Sequence, residues 1–331
     1  MPQNVNYIAQ EVLIDSIEVI QLFDRRHHVQ ISIVPSIGNI AYEMKVHNKN
    51  ILWMPFSNLQ EFKTNPHLCG NPFLAPWANR LDQDAFYANK KKYLLNPKLG
   101  NFQRDANQKP IHGLLQFSPD WKVISLTADD QAASVTSRLE FWRFPELMAQ
   151  FPFAHTIEIT YRLQEGVLEV ETLLENHSTQ NMPVAIGYHP YFQLPDTPRD
   201  EWKVHLAAHD HLVLSEKLIP TGERRPVSLP DPLPLAGREL DDVFSNLIRE
   251  KKDRTEFFVQ GKKERISVIY GANYTVAVVY APINRDFICF EPMSAITNGF
   301  NLAHNGIYKE LQTISPQETW RESFWIQPSG F

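Results

Sequence analysis

Residues 157–172 read IEITYRLQEGVLEVET. Ile157, Ile159, Tyr161 and Leu163 share one parity and Glu158, Thr160 and Arg162 the other, which is the period-two pattern of a half-buried strand. Beyond Gly166 the pattern resumes, with Leu168, Val170 and Thr172 alternating with Glu169 and Glu171. Two such runs about a short glycine-containing turn predict an antiparallel hairpin.

The same signal recurs outward from the hairpin. Val29, Ile31 and Ile33 oppose Gln30 and Ser32, and short strands are expected at Val268–Tyr270, Val276–Tyr280, Phe287–Glu291 and Glu322–Ile326. Helical periodicity is sparse; Phe141–Phe151 and Asp241–Glu250 are each expected to hold a short helix or turn. The chain carries 24 prolines, which break helix interiors and central strands and so belong in the loops between strands. The expected fold is all-β, a large antiparallel β-sandwich with few short helices. The proline-rich Pro220–Pro234 segment reads as a long surface loop, and because similar strands lie on both sides of it, residues 1–331 are expected to form a single domain.

Composition narrows the function. With 331 residues, 43% hydrophobic and 21% charged, the chain can bury a sizeable core. A formal net charge of -6 with scattered lysines and arginines disfavours a nucleic-acid partner. Cys69 and Cys289 are the only cysteines, too few for a disulfide framework or a site of several thiolates, and are expected to be reduced core thiols. Met1–Gln10 is polar and lacks a basic patch followed by an apolar run, so a cytoplasmic location is expected. Apolar stretches such as Tyr274–Pro282 fall far short of the about 20 residues a membrane-spanning helix needs, so no membrane partner is expected.

Five polar positions sit in unusual contexts: Asn79-Arg80 in PWANRL, His112 in PIHGLL, His189 in GYHPYFQL, Asp241 in ELDDVF and Glu291 in FICFEPM. Strand alternation places Glu291 on the face of Phe287 and Cys289, where an apolar residue is expected. A carboxylate buried there is either paired with a cation or held at a raised pKa useful for proton transfer. His189 lies among Tyr188, Pro190, Tyr191 and Phe192, and aromatic rings suit the apolar faces of a sugar.

In order and context these motifs resemble the aldose 1-epimerase, or galactose mutarotase, family: an Asn-Arg pair, a His-Gly, a His before Tyr-Phe, an Asp three residues before an aromatic, and a Glu on a late strand. The resemblance spans roughly Ile31 to Phe324. It implies a galactose mutarotase-like β-supersandwich, an aldose substrate, and no metal or organic cofactor. It also implies that Glu291 is the general base and His189 the general acid, opening and reclosing the pyranose ring to interconvert α and β anomers. Asn79, Arg80, His112 and Asp241 would then bind the sugar, with Asp242 an adjacent competitor for the last role.

The sequence departs from the family pattern in two places. His189 is preceded by Gly-Tyr and followed by Pro, where galactose-active members commonly carry Asn and Ser, and His112 is followed by one Gly instead of two. These departures leave substrate preference open and bring the chain closer to divergent bacterial members and to hexose-6-phosphate mutarotases, for which Lys90, Lys91 and Lys92 offer cations. Other readings are a non-catalytic carbohydrate-binding sandwich, a glycoside hydrolase using Glu291 and Asp241, and a metal site at His205, His209 and His211, which share a parity.

Overall fold

In the computed structural model, which describes residues 6–331 except the side chain of Lys251, the expected hairpin lies inside the largest sheet, of nine strands. Of the polar Met1–Gln10 segment, residues 1–5 lie outside the described residues. Strands His155–Gln164 and Val167–Asn176 pair with Ile157 opposite Leu174 and Tyr161 opposite Val170. Glu165 and Gly166 both take positive φ, at 50° and 74°, the backbone of a two-residue turn whose twist matches that of the strands. Ile157, Ile159, Tyr161 and Leu163 are fully buried, as their shared parity requires, and each contributes about 1.5–3 kcal/mol through burial.

Nine antiparallel strands make this sheet, in the order Lys122–Ala128, Ala133–Glu140, His155–Gln164, Val167–Asn176, Thr319–Ser329, Arg265–Tyr270, Thr255–Gln260, Lys203–His205 and Leu233–Pro234. A second sheet runs Pro220–Pro226, Ala208–Leu214, Leu240–Leu247, Val276–Ala281, Ile288–Met293, Gly187–Tyr188 and Phe73–Leu74, with Tyr191–Phe192 also pairing to Ile288–Met293. A third, of five strands, begins at Tyr7–Ile14 and ends at Lys49–Asn50. One hydrophobic cluster joins all three, running from Ile31 through Ile159 to Phe290 and Phe324.

Helix among the described residues is limited to Leu59–Thr64, Pro145–Gln150, Gly299–His304 and short 3-10 turns, and none of the helices is long and apolar enough to cross a membrane. The helix expected within Phe141–Phe151 is there, as a 3-10 turn at Phe141–Arg143 followed by Pro145–Gln150 with proline in its first turn. The helix or turn expected at Asp241–Glu250 is instead the strand Leu240–Leu247. Val243, Phe244 and Ser245 are all buried, so this strand is covered on both faces and loses the alternation by which a strand is recognised.

The Pro220–Pro234 segment is only partly loop, since Pro220–Pro226 and Leu233–Pro234 are strands that end the two large sheets. At a sheet edge a missing proline N–H leaves no ladder bond unmade. Cys69 and Cys289 are buried free thiols.

Candidate functional site

Glu291 lies in the strand Ile288–Met293, which is buried throughout. Ile288 and Phe290 enter the main core, whereas Phe287 and Cys289 join a separate cluster with Tyr191, and Glu291 shares their parity. Cross-strand register extends this second face sideways. Tyr280 stands opposite both Cys289 and Asp241, and Val278 opposite both Glu291 and Val243, so all of these side chains project to one side of the sheet.

The same register accounts for His189. Gly187 pairs with Met293 and Tyr191 with Cys289, so the residue midway between them, His189, falls opposite Glu291. Pro190 has no N–H and interrupts the ladder, and the His189 N–H bonds instead to the Pro72 carbonyl at 3.1 Å. His189 Nε2 and Glu291 Oε1 end 3.3 Å apart, with both side chains nearly inaccessible. Tyr191 stacks on the imidazole at 4.6 Å and 12°, which fixes the ring plane.

The Asn79-Arg80 and His112-Gly113 motifs, distant in sequence, are joined by backbone. The His112 N–H donates to the Asn79 carbonyl at 2.8 Å, Arg80 bridges to Ile111, and Gly113 bridges to Ala75. Asn79 and His112 both take left-handed backbone, at φ 55° and 60°. The His112 ring meets His189 edge-on at 5.6 Å. Glycine after His112 has a physical cause: its φ is 71°, and a β-carbon there would lie 2.1 Å from the Ala75 carbonyl oxygen. Gly113→Ala is therefore expected to destabilise the protein by roughly 2–5 kcal/mol, combining left-handed strain with overpacking. A denaturant midpoint equal to that of the parent protein would show that the loop absorbs the methyl freely.

Arg80 is held by its Nε, which donates to Asp105 Oδ2 at 2.7 Å. Burial pushes the Asp105 carboxyl up, but the Lys109 N–H and the Arg80 guanidinium outweigh this and hold it below its usual value. The Arg80 charge reaches His112, His189, Asp241 and Glu291. Burial raises the Glu291 carboxyl well above the usual carboxylate range, with Asp241 adding to this and Arg80 opposing it. Burial lowers the His189 imidazole to about 3, and Arg80 adds to that shift. Asp241 is also raised, first by burial. Glu291 Oε2, His189 Nδ1 and His112 Nδ1 are buried with no hydrogen-bond partner in the protein, so their hydrogen-bonding capacity is not committed to other side chains.

The structure thus brings together Asn79, Arg80, His112, His189, Asp241 and Glu291. Asp242 is excluded by alternation, for it points to the opposite face and its Oδ1 lies 2.7 Å from His211 Nε2. The three histidines considered for a metal are not gathered: His205 bonds Asp231 from the nine-stranded sheet, whereas His209 and His211 belong to the other. Among the described residues no cluster of three or more His, Cys, Asp or Glu side chains could hold a metal ion. Lys91 and Lys92 rest over Tyr93 and Tyr87, in and beside their own hairpin strands.

Sequence reasoning missed Asp105, which lies 25 residues from Arg80 with nothing local to link them, and the wall formed by Trp53, Tyr280 and Phe287 beside Tyr191. Tyr280 shares the parity of Val278 and Val276, so nothing in the pattern of its strand sets it apart from a core position.

Comparison with proteins of known structure gives the same architecture. A galactose mutarotase-like protein from Clostridium acetobutylicum superposes with a TM-score of 0.87 at 22% identity, covering 99% of this chain and 100% of its own. The Slr1438 protein of Synechocystis sp. PCC 6803 gives 0.75 at 25% identity over 97% and 98% of the two chains. A galactose 1-epimerase from Lactobacillus acidophilus NCFM gives 0.72 at 16% identity over 98% of each. The family model described as Aldose 1-epimerase matches residues 22–327, nearly the whole chain and every residue of the cluster around Glu291, and the chain therefore belongs to the aldose 1-epimerase family.

Proposed function

We propose that this protein is a mutarotase that interconverts the α and β anomers of a hexose, with Glu291 and His189 as its proton-transferring pair. The observation that carries this reading is their 3.3 Å approach inside a buried site. The hydroxyl that must lose a proton and the ring oxygen that must gain one are bonded to the same anomeric carbon. The two groups serving them must therefore stand close to each other, closer than two groups acting on opposite faces of a ring.

The reacting arrangement has the shared proton on His189 and Glu291 ionised; ring opening then takes the proton of the anomeric hydroxyl onto Glu291 while His189 donates to the ring oxygen. Closure on the other face of the aldehyde runs both transfers backwards. The pair holds one proton throughout, and only its position changes. Arg80 and His112 donate to oxygens near the reacting centre, Asn79 supports them, and Asp241 accepts from hydroxyls further along the ring. Tyr191 and Tyr280 offer the apolar faces that the sugar's C–H groups need. A preference for free or phosphorylated hexose is a separate question; resting on the rings of their own hairpin, Lys91 and Lys92 give little support to a phosphate-binding role.

The test is polarimetry or proton NMR on freshly dissolved α-glucose, α-galactose and glucose 6-phosphate. Faster equilibration with no net product is expected. Absence of acceleration with all three, together with normal sugar binding, would make the protein a binding module instead.

The pKa shifts add a pH prediction. Below about pH 3 His189 takes a second proton, and above the raised Glu291 value the carboxyl loses the shared one. Only the one-proton pair is competent, so the rate should be flat between these limits, falling on the alkaline side by deprotonation of Glu291 and on the acid side only near pH 3. An acid limb centred near the ordinary imidazole value of 6.5 would contradict this assignment.

A further inference from the structure

Adjacent carboxylates in Leu240–Leu247 serve opposite faces of the sheet: Asp241 faces the cluster around Glu291, and Asp242 faces away. The side to which Asp242 points also carries Phe244 and Leu240, which enter the main core. At this margin the two large sheets end in Pro220–Pro226 and Leu233–Pro234, and the chain passes from one edge strand to the other through residues 227–232. A cavity of about 500 Å³ lies here, bounded by both edge strands and by Leu240–Leu247.

Its lining is mixed in a specific way. Val227 and Leu229 supply accessible apolar surface, and the His211–Asp242 pair, Ser228 and Arg238 supply donors and acceptors. His211 and Asp242 are 37% and 30% exposed, within reach of a solute. The formal charges of the lining cancel, with Arg225 and Arg238 set against Glu239 and Asp242, and Arg225 is already bonded to Glu223. An anion would meet two carboxylates here, whereas a neutral polyol would find a carboxylate acceptor, a planar guanidinium donor, a hydroxyl and aliphatic side chains. The volume falls in the range of small-molecule sites, about 300–1,000 Å³. Nothing in the proposed mechanism uses these residues.

We propose that this cavity is a second, non-catalytic site for a neutral monosaccharide. The choice of an aldose among neutral polyols rests on the mutarotase reading of Glu291 and His189; the polyol chemistry does not. Because Asp241 and Asp242 are consecutive in one strand, a sugar bonded to Asp242 would be seated one residue from Asp241 and the cluster around Glu291, on the other side of the sheet.

The experiment is an amide chemical-shift titration of the full-length ¹⁵N-labelled protein with D-glucose, D-galactose and glucose 6-phosphate, read at Ser228, Gly237 and Leu240. Saturable shifts at these amides with either free sugar are expected, with their own dissociation constant. Asp242→Asn and Arg238→Ala should each weaken that constant tenfold or more, and Glu291→Gln should leave it unchanged. Arg238 is exposed, so its variant remains a fair test if Asp242→Asn perturbs folding. Three results would overturn the proposal: unmoved amides up to roughly 100 mM sugar, a response to glucose 6-phosphate alone, or shifts that Asp242→Asn and Arg238→Ala leave intact. Polarimetry on the same samples keeps the two readings apart. Cavity shifts without mutarotation would sink the catalytic reading and keep this site; mutarotation without cavity shifts would do the reverse.

Discussion

Glu291→Gln should lower the mutarotation rate by about 10²–10⁴-fold, the usual contribution of a positioned acid–base group. The amide matches the carboxyl in shape but can neither take nor return a proton. The side chain is 1% exposed and one of its oxygens has no protein partner, so the change removes a buried ionisable group without opening a cavity. Folding stability should accordingly hold or rise, since burial makes the carboxyl costly to ionise and the amide has no charged form. Sugar binding should survive as well, because Arg80, His112 and Asp241 remain. Polarimetry, equilibrium binding and a denaturant titration on the one variant separate these effects. Retention of more than about a tenth of the parental rate would remove Glu291 from the chemistry.

His189→Gln should cost about as much, and the double variant should be scarcely slower than the worse single one. In the proposed mechanism Glu291 and His189 share one proton, so either replacement leaves the other without its counterpart. Residues that act as a unit give such non-additive losses. Independent contributions would instead multiply, toward about 10⁴–10⁸-fold in the double variant. The imidazole stacks on Tyr191 and its backbone N–H bonds Pro72, neither of which depends on the ring's protonation, so the Gln variant should keep the turn in place. Rate constants for all four proteins, measured at one pH inside the flat region, decide between the two cases. Multiplicative losses would mean that the groups serve separate steps.

Much of the architecture can be read from the chain because it rests on local alternation. The hairpin at residues 157–172 has one polar and one apolar face, and its pattern survives intact in the larger sheet. Alternation also assigned Glu291 to the face of Phe287 and Cys289, and that face does separate from the core side of the strand. Leu240–Leu247 was misread for the opposite reason. Val243, Phe244 and Ser245 are buried in succession, and a run covered on both faces carries no period-two contrast.

The sequence by itself determined which groups are present and which strands could carry them: an acidic side chain in an apolar strand, a histidine beside Pro190, and the short Asn79-Arg80 and His112-Gly113 motifs. Only the tertiary structure decided that they meet. The pairings of Gly187 with Met293 and Tyr191 with Cys289 bring His189 level with Glu291 across about a hundred residues of chain, and the bond from His112 to Asn79 joins two other distant loops. Register between strands far apart in sequence follows from which faces are buried together, a property of the assembled sheets that no local window contains. The same holds for the division between Asp241 and Asp242: adjacent and alike in the chain, they are placed on opposite sides of the sheet that passes between their side chains.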